Sequence, residues 1–207
     1  MSRTIAVADI GGTHARFALA EVGDGRVLSL GEPVRLNTAD HASFQTAWQE
    51  FGRVAAVELP DALGMAFAGP VGGEVLKLTN NPWVIRPALM EERLGVTSYK
   101  IVNDFGAVAH AVAQFGSEQF DHLCGPDGPM PAIGVTTVVG PGTGLGVAQL
   151  LKTADTYHVI ETEGGHVDFA PLDALEDQVL TYLRRSFRRV SVERIVAGSG
   201  LVNLYNA

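Results

Sequence analysis

Apolar positions come in short runs along this chain, and glycine or a polar corner marks most changes of rhythm. Thr4 to Ile10 is a nearly continuous apolar run broken by Asp9 and reads as a buried strand. Arg16 to Val22 reads as a second strand, and Arg26 to Leu30 as a third after the turn signal "GDG". The opening is therefore expected to be an antiparallel meander. Phe44, Ala47, Trp48 and Phe51 recur at helical spacing, which predicts a helix over His41 to Val54 capped by Asp40. Short strands follow at Leu63 to Ala68, ended by "GPVGG", and at Val75 to Thr79, ended by "NNPW". Pro87 to Leu94 reads as a helix stopped by Gly95. "YKIVNDFGAVAHAVAQF" is strand, polar corner and helix, with Val108, Val112 and Phe115 on one helical face.

The rhythm restarts after the Gly- and Pro-rich stretch Gly125 to Pro131. "GVTTVVGPGTGLGVAQLL" repeats the opening scheme of strand, glycine corner with threonine, strand. "YHVIETEGGHVDFAP" adds a strand with a polar end, and Leu172 to Phe187 an amphipathic helix with a basic tail. These elements predict two α/β lobes, residues 1–115 and 116–207, with matching ligand corners. The chain stops at "SGLVNLYNA", about two turns into an apolar helical face, and the expectation is a shortened chain with an incomplete second lobe.

Composition narrows the partners. With 46% apolar residues in 207, the chain can fill a core. A net charge of −8 opposes nonspecific binding to nucleic acid or an anionic membrane. Cys124 is the single cysteine, so no internal disulfide and no thiolate metal cluster forms, which fits a cytoplasmic protein. Arg3 is the one basic residue ahead of Asp9, a poor start for a signal peptide. The uncharged window Ala132 to Leu151 raises a membrane question, but its five glycines and three threonines read as strand, turn and strand.

The chemistry gathers at the corners. In "DIGGT" the glycines permit positive φ and close backbone approach, so successive N–H groups form an anion cradle to which Thr13 adds a hydroxyl. Asp9 is placed to hold a hydrated Mg²⁺. A plain hairpin turn explains the same residues. "GPGTGLG", Gly140 to Gly146, has the same potential; it is neither a dinucleotide fingerprint nor a P-loop. Asn103 and Asp104 stand at a strand end before a helix. One reading is capping; the other is a general base at Asp104, and both hold together if Asn103 caps. Glu163 and His166 flank Gly164 and Gly165. With His158, Glu161 and Asp168 they raise a metal-site reading, but a hydrogen-bonding ligand pocket suits a Gly-Gly turn better. Glu193 reads locally as a first-turn acid that complements a helix dipole.

Taken together, "ADIGGTHAR", "IVNDFGAV", "GPGTGLGVA", "EGGHVDFAP" and "VERIVAGSGLVNLY" resemble the bacterial glucokinase family, within the hexokinase–actin–heat-shock ATPase superfold. The motifs stand in the family's order over essentially the whole chain. The resemblance implies a two-lobed, ribonuclease-H-like (actin-like ATPase) α/β fold, mixed sheets flanked by helices, with ATP and glucose held between the lobes. It implies phosphorylation of D-glucose at the 6-hydroxyl. Ala8, Asp9, Ile10, Gly11, Gly12 and Thr13 match the first phosphate loop, with Asp9 meeting Mg²⁺ through water. Gly142, Thr143 and Gly144 match the second. Asn103, Glu163, His166 and Glu193 match sugar-hydroxyl contacts, and Asp104 the base on the 6-hydroxyl. Asn80 and Asn81 lie near the family's cleft.

The cysteine-rich zinc motif of the related repressor/ORF/kinase family is absent, which places the chain on a branch without structural zinc. A homodimer is implied by the resemblance alone. Family members run on past Ala207, through an adenosine-contacting glycine motif and a last helix. The other readings of the residues are a kinase for another hexose or small polyol, and a non-catalytic sugar-binding regulator. The first strand starts by Thr4, which leaves no room for the helix-turn-helix that repressor relatives carry.

Overall fold

A computed structural model of the chain describes residues 1–78 and 81–207. It divides into two compact units, Met1–Ala107 and Val108–Ala207. The division falls inside the helix that follows Asn103, ahead of the expected boundary after residue 115.

In the first unit, strand β1 (Ser2–Ile10) buries Ala6, Ala8 and Ile10 on one face, as a two-residue period requires. Strand β2 (His14–Gly23) returns antiparallel, and β3 (Arg26–Leu30) follows through a turn in which Asp24 and Gly25 both have positive φ. A further strand, β4 (Val34–Asn37), pairs with β2. Helix α1 (Phe44–Ala55) buries Phe44, Ala47, Trp48 and Phe51, the predicted stripe. Its cap is Ser43, not Asp40: Ser43 and Thr46 form a capping box, while Asp40 closes a separate 3₁₀ turn at Thr38–Asp40. The physical reason is reciprocity. Ser43 Oγ accepts the Thr46 N–H at 3.3 Å and Thr46 Oγ1 accepts the Ser43 N–H at 3.1 Å.

Strand β5 (Ala62–Phe67) buries Leu63, Met65 and Phe67 and runs parallel to β1. A two-residue hairpin pair follows, β6 (Leu76–Lys77) and β7 (Val84–Ile85). This β6 is shorter than the strand expected over Val75 to Thr79; Thr79 and Asn80 lie outside the described residues. Pro87–Leu89 forms a 3₁₀ turn into helix α2 (Met90–Leu94), ended by Gly95 at φ 71°. Strand β8 (Ser98–Asn103) adds parallel to β5 and leads into α3 (Asp104–Gln114). The resulting mixed sheet runs β3-β2-β1-β5-β8, with β4 on β2. Phe17 stacks on Phe51 at 5.3 Å between ring centroids, tying α1 to the sheet. Trp48 and Trp83 are buried and donate their indole N–H groups to Leu94 O at 3.2 Å and His41 O at 2.9 Å.

The face expected on α3 is not the buried one. Val108 and Phe115 are exposed, and Ala109 is fully buried. A small residue takes the close-packed position, which a pattern of large apolar side chains does not reveal.

The second unit opens with β9 (Gly134–Pro141), β10 (Leu145–Lys152) and β11 (Tyr157–Thr162), an antiparallel sheet with β10 in the centre. The uncharged window is thus two strands of this sheet. Among the described residues no helix is long and apolar enough to cross a membrane. Helix α4 (Ala174–Leu183) is shorter than expected. Asp173 caps it through the Glu176 N–H at 2.9 Å, leaving Leu172 exposed ahead of it. Helices α5 (Glu193–Val196) and α6 (Gly198–Asn206) follow. Leu180, Leu183, Val190 and Ile195 make a small core.

Candidate active site

The first glycine corner is the turn between β1 and β2. The Gly11 N–H donates to His14 O at 2.9 Å. Neither Gly11 nor, in the second corner, Gly142 or Gly144 has positive φ. This corrects the expectation that such glycines serve the left-handed region. What they contribute is the lack of a side chain. The Gly12 carbonyl is tied back by Thr38 Oγ1 at 2.8 Å and Asn81 Nδ2 at 3.1 Å, and the Thr13 carbonyl by the Thr38 N–H at 3.0 Å. With these carbonyls tied, the Gly12 and Thr13 N–H groups take no acceptor among the described residues. Such a row of amides suits an anion.

Asp9 lies opposite Arg16 in the β1–β2 register, on the other face from Ala8 and Ile10. Arg16 Nη1 donates to its Oδ2 at 2.6 Å, and both side chains are about half exposed at 48%. An apolar strand tolerates this carboxylate because it faces away from the core and has a cation across the hairpin. Among the described residues, no three or more His, Cys, Asp or Glu side chains gather as a metal cage. A single half-exposed carboxylate suits a metal that keeps most of its water, as Mg²⁺ does.

Asn103 ends β8 and caps α3. Its Oδ1 accepts the N–H groups of Phe105 at 2.9 Å and Gly106 at 3.2 Å, and its Nδ2 lies 3.4 Å from Gly69 O. Asp104 is exposed, with Oδ1 accepting the Phe105 N–H at 2.8 Å. Strand register brings this pair level with the first glycine corner: Ile10 pairs with Phe67 and Phe67 with Asn103. The carboxyl ends of parallel strands are where ligands bind in open α/β sheets.

In the second unit three segments meet. "GPGTGLG" turns from β9 to β10, with the Gly142 N–H donating to Gly144 O at 2.8 Å. The "EGGH" segment forms a 3₁₀ turn at Gly164–His166 against the start of β10. Gly165 is buried there, and a Cβ on it would overlap the Leu145 carbonyl. Glu193 starts α5, and its Oε2 accepts the Leu145 N–H at 2.9 Å. His166 Nε2 stands 3.6 Å from Glu163 Oε2, both exposed. Arg189 donates to the His166 carbonyl and to Asp168, anchoring this turn. Thr38, Arg16 and Arg189 escaped sequence reasoning, because each acts on a partner that only the strand register or the tertiary fold brings near.

The family model for glucokinase matches residues 6–207. The chain belongs to the glucokinase family. It is 62% identical over 203 residues to a glucokinase of Zymomonas mobilis, covering 98% of this chain and 63% of the relative. A glucokinase of Hahella chejuensis is 43% identical over 202 residues, covering 97% and 61%. Among solved structures, a glucokinase from an Antarctic psychrotroph superposes with a TM-score of 0.83 at 32% identity, covering 98% of this chain and 63% of that one. The chain thus spans less than two thirds of the length of these relatives. Its fold class is the α/β class of these glucokinases, with a mixed sheet flanked by helices.

Proposed function

We propose that the whole protein transfers the γ-phosphoryl group of ATP to the 6-hydroxyl of D-glucose; its relatives bear the name glucokinase. The observation that carries this is the shared strand edge in the first unit: the first glycine corner and the Asn103–Asp104 pair stand level at the ends of β1 and β8. Phosphoryl transfer asks a protein for positioning and charge neutralisation more than for covalent chemistry. Backbone amides at Gly12 and Thr13, and at Thr143 and Gly144, serve the phosphate oxygens, while the Gly11 and Gly142 amides close their own turns on His14 O and Gly144 O. Ala8 and Ile10, buried beside Asp9, fix its place on the strand. Asp9 holds Mg²⁺ through water; the ion, when bound, neutralises charge on the phosphates. Asn103, Glu163, His166 and Glu193 take sugar hydroxyls. Asp104 accepts the proton of the 6-hydroxyl, which its exposed carboxylate is free to meet.

A cytoplasmic location and a homodimer complete this reading. Its test is ADP release by the whole protein over a panel of hexoses and polyols. Glucose preferred by a wide margin supports it. Turnover only with another hydroxyl compound makes the protein a different sugar kinase, and sugar binding without ADP release makes it a regulator.

A further inference from the structure

Glu193 is the residue whose setting departs most from its expected role. The resemblance makes it a sugar contact, and its position at the start of α5 makes it a dipole-favoured acid. Neither accounts for what its carboxylate touches. Oε2 accepts the Leu145 N–H at 2.9 Å, at the outgoing end of the second glycine corner. A Cβ placed on Gly144 would sit 2.5 Å from the same oxygen, so the carboxylate occupies the space a side chain at 144 would take. The far side of the corner is tied as well. Gly198, the first residue of α6, donates its N–H to Gly142 O at 2.9 Å, while Gly142 donates to Gly144 O at 2.8 Å. The corner is thus clamped between the starts of two successive helices, and Glu193 is the only charged member of the clamp. Oε1 lies farther off, 4.0 Å from the Gly144 Cβ position.

We infer that Glu193 is a positioning residue for the second glycine corner, one carboxylate that fixes the phosphate-facing amides through Oε2 and keeps Oε1 for a sugar hydroxyl. This deepens the glucokinase reading and rests on it for the identity of the two ligands. A hydrogen bond to a charged acceptor is stronger than a neutral one, and losing it leaves the Leu145 amide to exchange with solvent. A side chain at 144 meets no limit of backbone conformation, since the φ there is not positive; it meets the carboxylate, which must shift to admit it.

The test uses the whole protein with Glu193→Ala, Glu193→Gln and Gly144→Ala. Hydrogen exchange is read at Leu145. Affinities for glucose alone, and for magnesium with a non-hydrolysable ATP analogue alone, are read by calorimetry. In Glu193→Ala the Leu145 amide is expected to exchange about tenfold faster or more, and nucleotide-analogue affinity without sugar to fall by about tenfold. Glu193→Gln keeps the shape and loses the charge, so it shows the same changes in smaller size if the alanine variant fails to fold. Gly144→Ala displaces the carboxylate while leaving it in the chain, and is expected to reproduce the nucleotide effect. Unchanged Leu145 exchange overturns the inference. So does a loss of glucose affinity with nucleotide affinity intact, since that is a sugar contact and nothing more. If the unmodified protein binds neither ligand, the glucokinase reading fails, and Leu145 exchange alone decides the clamp.

Discussion

Ile10 and Asn103 end their strands on one line across the sheet, joined through Phe67 of the strand between them. Two parallel pairings in register produce this. Because of it, the turn after Ile10 and the helix after Asn103 both leave the sheet at the same edge. Sequence places the two motifs 93 positions apart, at residues 10 and 103; the register sets them level in one layer with a single strand between. Asp104 therefore stands at the same sheet edge as the first glycine corner, with the end of β5 between them.

Asp104→Ala is expected to lower turnover of the whole protein by ~10²–10⁴, the usual loss when a general base is removed. Glucose affinity should change far less, because the base acts on the transition state. Steady-state kinetics with a coupled ADP assay separate the two. Near-normal turnover in this variant removes Asp104 from the chemistry. Asn103, which holds the first turn of α3 through two amide N–H groups, is a poor control, since its loss disturbs the helix too.

His166→Ala is expected to weaken glucose by about tenfold or more, with the nucleotide affinity kept. The side chain is exposed on the 3₁₀ turn and 3.6 Å from Glu163, so truncation costs little packing. An unchanged glucose KM places His166 outside the sugar site.

Much of this was legible in the sequence, for identifiable reasons. The corners "DIGGT" and "GPGTGLG" are hairpin turns flanked by apolar strands, and both patterns are local. The α1 stripe is local too. Its start was misread because "ADHASF" offers two capping residues, and the reciprocal Ser43–Thr46 pair prevails. The buried face of α3 was misread because burial there goes to Ala109, while Val108 stays exposed. Non-local partners left no trace: Thr38 meets Gly12, and Glu193 meets Leu145, only once distant segments are folded together.

Acid should reveal the Arg3–Asp61 pair. Arg3 Nη2 donates to Asp61 Oδ1 at 2.7 Å and Thr97 Oγ1 donates to Asp61 Oδ2 at 3.0 Å, joining the starts of β1 and β8 to the residue before β5. The Arg3 hydrogen bond, then that of Thr97, hold the Asp61 carboxyl below its ordinary range. The unfolded chain therefore binds more protons in that window. The stabilisation is present above the unfolded carboxyl's pKa and is lost as pH falls through the lower folded one. Urea midpoints at low salt should show Asp61→Asn less stable than the parent at neutral pH, with the gap closing in acid. A gap that does not depend on pH contradicts this.

Thr38→Val tests the brace beneath the first corner. Thr38 is buried, and its hydroxyl donates to the Gly12 carbonyl. Valine keeps the shape and removes the donor, so a loss of about 1–3 kcal/mol is expected. The Thr38 N–H to Thr13 O bond survives, so the corner should loosen rather than melt. Nucleotide-analogue affinity should fall with glucose affinity intact, the reverse of His166→Ala. Equal loss of both ligands points to general destabilisation instead.

Gly165→Ala separates close approach from backbone freedom. Gly165 has no positive φ, so alanine suffers no conformational penalty there. Its Cβ would overlap the Leu145 carbonyl and approach Leu145 Cβ at 2.9 Å, and both belong to the backbone and root of β10. A rigid strand cannot give as a flexible side chain can, so the turn must move, at a cost of ~1–3 kcal/mol. That shift carries His166 with it, and glucose affinity should drop in proportion. Gly72→Ala is the matched control, since nothing lies within 4 Å of its Cβ position and its φ is also not positive. It should change stability by less than about 0.5 kcal/mol. Equal midpoints for the two variants in urea would show that the "EGGH" turn does not need its close contact with β10.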